Sequence, residues 1–402
     1  MRPAALRSLT SFAALATFAL AGCGGGLVDG GERPGRTASL PPVQASPAPG
    51  GTTFGKGPVK VALILPLGAA GQGAVAAASL RNAAELAMSE FEGAEITLTI
   101  EDDKGTADGA REAAARSLDE GADLILGPLF APSVAAAGTA ARAGGKPLIG
   151  FSTDIGTASR GVYLLSFLPQ TEVERILDHA ANSGRRSLGA LIPDTTYGSV
   201  VEAQFREGAA KRGLRVAAVE RYAVGQPGPA VSRLAPVFAG GAPQIDALLI
   251  PDSGEGLAAA GAALTSAGFD PARVKPLGTG LWNDPRALQV KALQGGWFAA
   301  PDQAGFAAFS TRYRAKFGAE PTRIATLAYD AVSLAAALAR TPGAARFSDA
   351  TLTNPSGFAG ADGVFRFRPD GSSERALAVH EVRNGVTAVV SPAPKALGPS
   401  GI

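Results

Sequence analysis

From residue 57 onward, short runs of β-branched and aliphatic residues alternate with Ala-rich stretches of helical period, and this alternation leaves the chain few architectures. Val59–Leu65 (VKVALIL) is apolar at nearly every position, the pattern of a strand buried on both faces. After a Gly-rich loop, Leu80, Ala84, Met88 and Phe91 stand at i, i+4, i+8 and i+11, so one face of a helix is buried. The same logic predicts strands over 96–100, 123–126 and 147–151, with helices over 106–120 and from Pro132 between them. Repeated β-α-β units with short loops require a parallel sheet covered by helices on both faces.

A second series of the same kind begins near residue 168. Thr171-Glu172-Val173-Glu174 has the spacing of a capping box, with Thr171 as N-cap, and Gly184 is placed to end that helix. Strands over 187–192, 214–222 and 246–250 and a helix from about Tyr197 follow. Near the C-terminus, GVFRFRPDG and ALAVHEVRNGV read as one antiparallel hairpin. Two α/β lobes of similar size leave a cleft between them, beyond the C-terminal ends of the strands, where open α/β sheets bind ligands.

The first 57 residues have a different composition. Arg2 and Arg7 precede an apolar run from Leu9 to Leu20, of the length of a secretory signal and too short to span a bilayer comfortably. Leu20-Ala21-Gly22-Cys23 resembles the bacterial lipobox, in which the Cys is lipidated and becomes the first mature residue. Gly24 in place of Asp after it points to the outer membrane by the sorting rule of such lipoproteins. Residues 23–57 then form a Gly/Pro/Ser-rich tether with no core-forming material; it spans ~30 Å on average and ~110 Å when straight.

Composition narrows the function. Cys23 is the only cysteine, which excludes a disulfide framework and a thiolate metal cluster, and two histidines leave little for a metal site. Without residues 1–22 the chain has 35 basic and 35 acidic residues, and no basic run marks a nucleic-acid partner. Gly71-Gln72-Gly73-Ala74-Val75-Ala76 has the dinucleotide-loop spacing, but residues 66–70 separate it from the strand, so no nucleotide cofactor is expected. His179, His380 and the Glu101-Asp102-Asp103 run fit structural roles better than catalytic ones, and no nucleophile–base pair is evident. The expectation is a non-enzyme without metal or cofactor.

Ligand recognition has better candidates. Ser133 falls in the first turn of a helix that follows a strand, where free backbone N–H groups favour an anion. Ser152 and Thr153 follow the next strand and enter the same cleft. The alternative is that Ser133 and Thr153 are N-caps.

The stretch over residues 100–154, IEDDKGTADGAREAAARSLDEGADLILGPLFAPSVAAAGTAARAGGKPLIGFSTD, resembles the first lobe of type I periplasmic binding proteins of the leucine-binding class. DTTYGSVVEAQFREGAAKRGLRV, over 194–216, resembles the opening of their second lobe. The resemblance implies an α/β, two-lobed type I periplasmic-binding fold over 58–390, each lobe a parallel sheet flanked by helices, with the ligand cleft at the hinge. Lobe 1 is then expected over about 58–167 and 296–342, lobe 2 over about 168–295 and 343–390, and a tail over 391–402. It implies that Ser133, Ser152 and Thr153 hold a ligand carboxylate and ammonium and that Tyr197 closes over the ligand. The class also carries an acid in a second-lobe loop that pairs with the ammonium. Here that loop reads Gly278 to Asp284, with Trp282 and Asn283 where the acid is sought; Asp284 is a displaced candidate, and Trp282 could stack on a sugar or peptide or plug the cleft. Within the class, the chain resembles the short form of the lipoproteins that activate penicillin-binding proteins, without their N-terminal helical-repeat domain. That implies a regulator of peptidoglycan synthesis on the periplasmic face of the outer membrane, with a synthase as partner and a cell-wall fragment as one ligand option. The competing expectation is the receptor of an ABC permease for amino acids or related solutes.

Overall fold

The structure, a computed structural model, describes residues 51–398 other than 92 and 94. The signal peptide, Cys23 and nearly all of the tether lie outside the described residues.

The first series builds strands β1 (Thr52–Phe54), β2 (Val59–Leu65), β3 (Ile96–Asp102), β4 (Leu124–Leu126), β5 (Leu148–Gly150) and β6 (Val162–Leu164). Helices α1 (Gln72–Glu90), α2 (Ala107–Asp119) and α3 (Ala131–Ala143) connect them. Their sheet has the order β1-β3-β2-β4-β5-β6, parallel except for β1. All of β2 but Lys60 is buried, as a strand covered on both faces must be. Thr106 caps α2, its hydroxyl accepting the Gly109 N–H at 3.0 Å.

The chain then crosses to a second body through 165–168. There α4 (Pro169–Asn182), β7 (Ser187–Pro193), α5 (Thr196–Lys211), β8 (Arg215–Tyr222), α6 (Gly228–Phe238), β9 (Ala247–Leu249), α7 (Gly254–Ser266), β10 (Lys275–Gly278), α8 (Pro285–Leu288) and β11 (Trp297–Ala300) follow in turn. The expected capping box is not formed: α4 begins two residues before Thr171, with Leu168 at the N-cap and Pro169 already in the first turn. Proline fits there because it has no N–H to lose.

A second crossing at 301–302 returns the chain to lobe 1. There α9 (Gln303–Phe317) and α10 (Ala325–Ala339) bury Phe309, Tyr313 and Leu327 against Leu80 and Leu63. The segment that follows stays with lobe 1: α11 (Asp349–Leu352), then β12 (Phe358–Gly360), β13 (Gly363–Phe367) and β14 (Ser373–Arg375) in a small antiparallel sheet, with Phe365 and Phe367 in the same core. A third crossing at 376–377 delivers β15 (Ala378–Arg383) and β16 (Val386–Ser391) to lobe 2. The lobe 2 sheet has the order β16-β15-β11-β10-β9-β7-β8. Two expectations are thereby corrected. The boundaries at 295/296 and 342/343 move to 301 and 376, because β11 pairs with β10 and residues 358–367 pack on the lobe 1 core. The C-terminal hairpin is two hairpins in different sheets, β13–β14 and β15–β16.

Candidate functional site

In each sheet the order reverses direction beside the first strand of its series, between β2 and β4 in lobe 1 and between β7 and β9 in lobe 2. Loops at the C-terminal ends of strands flank a crevice at such a reversal. Lobe 1 supplies residues 127–130, where the Phe130 ring is partly exposed, and 151–155, where Thr153 and Ile155 are exposed. Lobe 2 supplies the start of α5 with Tyr197, the turn after β9 with Asp252, and residues 279–283 after β10.

The candidates distribute unevenly over this crevice. Thr153 is exposed on the lobe 1 rim, whereas Ser152 is buried and its hydroxyl accepts the Asp154 N–H at 3.0 Å, closing a turn. Ser133 is not an N-cap, since Phe130 occupies that position. It is 1% exposed and turned inward beside Asp103. Ser133 Oγ and Asp103 Oδ2 are both buried without a well-formed hydrogen bond, and burial pushes the Asp103 carboxyl up. The Ser133 hydroxyl is therefore turned away from solvent in this conformation.

In lobe 2, Tyr197 lies in the first turn of α5, which Thr195 caps by accepting the Gly198 N–H at 3.0 Å. Its hydroxyl pairs with Thr279 Oγ1 at 2.7 Å, and burial holds the phenol protonated. Trp282 and Asn283 do not meet it in the cleft. Trp282 is fully buried in the lobe 2 core against Phe298, and its Nε1–H donates to the Ile250 carbonyl at 2.9 Å. A Cβ on Gly278 would lie 2.2 Å from the indole, so only glycine there lets the ring in. Asn283 accepts from Gln303 Nε2 at 3.0 Å, a contact with the start of α9 beside the second crossing. Asp284 caps α8 and pairs with Arg286 at 3.0 Å, which leaves it no role as a displaced acid.

An acid from α4 reaches the 278–284 loop. Glu172, in the first turn of α4, is 7% exposed, and its Oε2 accepts the Gly280 N–H at 3.0 Å. Burial pushes its carboxyl up to about 8. A Cβ on Gly280 would stand 2.6 Å from Glu172 Oε1, so the carboxylate fills the space that a side chain at 280 would take. Beside Tyr197 lies Asp252, which accepts from the Tyr222 hydroxyl and, at 2.8 Å, from the Ser253 N–H. Sequence reading missed Glu172 because the contact joins residues 108 positions apart. The two histidines are packed side chains: His179 meets the Trp297 ring edge-on and His380 stacks on Phe298.

The periplasmic binding protein model matches residues 58–387, from just before β2 in lobe 1 into the last hairpin of lobe 2. The chain belongs to the periplasmic binding protein family. Solved structures share the fold of this family member at low identity. One is a Rhodospirillum rubrum protein assigned to branched-chain amino acid ABC transport, 21% identical over 83% of this chain and 99% of that one, TM-score 0.72. Another is a branched-chain amino acid transporter substrate-binding protein from Streptococcus pneumoniae in complex with isoleucine, 21% identical over 83% and 99%, TM-score 0.57. A third is a solute-binding protein of an ABC transporter from Rhodopseudomonas palustris in complex with 3,4-dihydroxybenzoic acid, 20% identical over 83% and 96%, TM-score 0.59. A comparison with curated protein sequences finds no match. The chain thus has the two-lobed, leucine-binding-like type I fold, and its family implies an extracytoplasmic location.

Proposed function

We propose that this periplasmic binding protein is a non-enzymatic receptor that holds a small solute between its lobes and delivers it to an ABC permease. The observation that carries this reading is coverage: the match spans 96 to 99% of receptor chains solved as parts of ABC transporters. Thr153 on the lobe 1 rim and the half-buried Tyr197 on the lobe 2 side are the residues the solute would meet, while the buried Thr279 holds the Tyr197 hydroxyl and the buried Glu172 holds the Gly280 N–H. Ser152 supports the Thr153 loop, Ser133 supports the helix start, and Trp282 and Asn283 position lobe 2. In this reading lipid on Cys23 holds the mature chain at a membrane, and the tether sets how far the lobes travel from it.

The penicillin-binding protein activator is the second reading, and it rests on Gly24 after Cys23, the residue that points to the outer membrane. Capture of the lipidated chain from solubilised membranes, read by mass spectrometry, separates the two. An ABC permease among the captured proteins supports the receptor; a peptidoglycan synthase without a permease supports the activator. The anchor has its own test: fatty-acid labelling is expected in the native chain and lost in Cys23→Ala.

A further inference from the structure

A cavity of about 840 Å³ opens on lobe 1 at the end of the sheet opposite the cleft. Asp123, Lys146 and Arg160, which line it, stand just before β4, β5 and β6, at the N-terminal ends of the strands, whereas the cleft loops leave the C-terminal ends. Arg346 and Asp349 come from the segment that follows α10. The volume is that of a small-molecule site.

The charges lining this cavity do not cancel. Four cations, Arg142, Lys146, Arg160 and Arg346, stand with two acids, Asp123 and Asp349. Lys146 pairs with Asp123 at 2.9 Å and Arg160 with Asp349 at 2.5 Å. Arg142 and Arg346 have no carboxylate within ion-pair distance among the described residues. Arg142 donates to the Ser159 and Thr139 hydroxyls, and Arg346 donates through Nε to the Ala339 and Thr341 carbonyls. An excess of two positive charges is thus gathered in one cavity of a chain that carries 35 basic and 35 acidic residues after residue 22. A structural role accounts for part of this. Arg142 lies in the last turn of α3 and Arg346 meets the last carbonyl of α10, places where a cation is favourable. That role occupies Arg346 Nε and leaves its two Nη groups without a partner among the described residues.

We propose that this cavity is a second binding site, remote from the cleft, for a small solute that carries a phosphate monoester. The guanidinium fork matches the oxygens of a phosphate. A monoester holds about two negative charges on one centre at neutral pH, which balances the excess of two cations. Its three free oxygens can be shared between Arg142, Arg346 and a third cation. The exposed pairs of Lys146 and Arg160 hold weakly in water, so either cation can turn to the phosphate. A phosphodiester, the linkage of a phospholipid headgroup, carries a single charge and leaves one guanidinium unmatched. The proposal goes beyond the receptor reading and does not rest on it.

The test is calorimetry of the full chain in non-ionic detergent. Glycerol 3-phosphate is the monoester and glycerophosphoglycerol, the headgroup of phosphatidylglycerol, is the diester, each compared with sodium chloride of equal ionic strength. Glycerol 3-phosphate is expected to bind saturably with a Kd below about 1 mM, and at least about tenfold more tightly than the diester. Arg142→Gln, a change at an exposed position, is expected to weaken that binding roughly ten- to hundred-fold. Arg111→Gln removes an exposed charge of lobe 1 outside the cavity and is expected to leave the affinity within about twofold of native. Three results each overturn the proposal: heat that sodium chloride reproduces, diester binding as tight as monoester binding, or Arg142→Gln no weaker than Arg111→Gln. None of them bears on solute binding in the cleft, so the receptor reading stands or falls separately.

Discussion

The Arg323 guanidinium lies 4.5 Å from the ring centroid of Phe167 and 4.6 Å from that of Phe306. Phe167 also meets Arg375 at 5.2 Å, and Arg375 meets Phe365 at 5.3 Å. Cations and rings thus alternate from Phe306 through Arg323, Phe167 and Arg375 to Phe365. The series touches every crossing between the lobes: Phe167 lies in the first, Phe306 follows the second, and Arg375 precedes the third. Each cation–ring contact contributes about 0.5–2 kcal/mol when partly desolvated.

Replacing Phe167 tests that arrangement. Phe167→Ala is expected to lower stability by about 2–4 kcal/mol in urea unfolding, from lost packing and two lost cation–ring contacts. Phe167→Leu restores most of the burial but not the ring face, so it should still cost about 1–2 kcal/mol. A Leu variant as stable as the native chain would show that the rings act only as apolar filler.

Asp330 and Arg375 form the most buried ion pair beside this series. Asp330 also accepts the Ala361 N–H at 2.6 Å, and burial pushes its carboxyl up to about 6. Asp330→Ala leaves the guanidinium without a counter-charge and should cost about 3–5 kcal/mol. Asp330→Leu together with Arg375→Met removes both charges and should recover most of that loss, less the cation–ring contacts. A double variant no more stable than the single one would contradict the account.

Glu172 gives a pH dependence with a definite sign. Its carboxyl titrates at about 8 in the fold, against an ordinary value of 4.5. Between those values the folded chain holds a proton that the unfolded chain has released, so stability falls as pH rises. The contribution is fully present below pH 4.5 and is gone above about 8. In thermal scans Glu172→Gln should therefore gain on the native chain progressively from pH 5 to 8. A constant difference across that range would place the carboxyl at its ordinary value.

Much of the fold is legible because local patterns determine it. The run Val59–Leu65 is β2, residue for residue, and Thr106 begins α2 as its side chain permits. The misreadings share a cause. Thr171 has the spacing of a cap, but Leu168 and Pro169 set the start of α4 where the crossing ends. Whether Trp282 faces a cleft or a core depends on Gly278 and Ile250, which no periodicity reveals. Residues 296–300 belong to lobe 2 through pairing with β10, and residues 358–375 to lobe 1 through Phe365 and Phe367. An acid was sought in the 278–284 loop, whereas the carboxylate that meets this loop is Glu172 of α4, a juxtaposition that only the folded chain creates.

Trp282 provides a check on that reassignment. As a core side chain whose Nε1–H is satisfied internally, it should cost about 3–5 kcal/mol when replaced by Ala. Trp282→Phe should cost less and leave solute affinity within about twofold of native, because no ligand contact is lost. A large loss of affinity in a stable Trp282→Phe variant would return the residue to the cleft.

Thermal unfolding of the full chain with and without millimolar solutes tests the receptor most directly. Any compound that binds the folded chain alone raises its midpoint, by an amount that grows with the logarithm of its concentration over its Kd. Across the protein amino acids and 3,4-dihydroxybenzoic acid, the account predicts a raised Tm with at least one of these solutes. An unchanged Tm with every compound would contradict it.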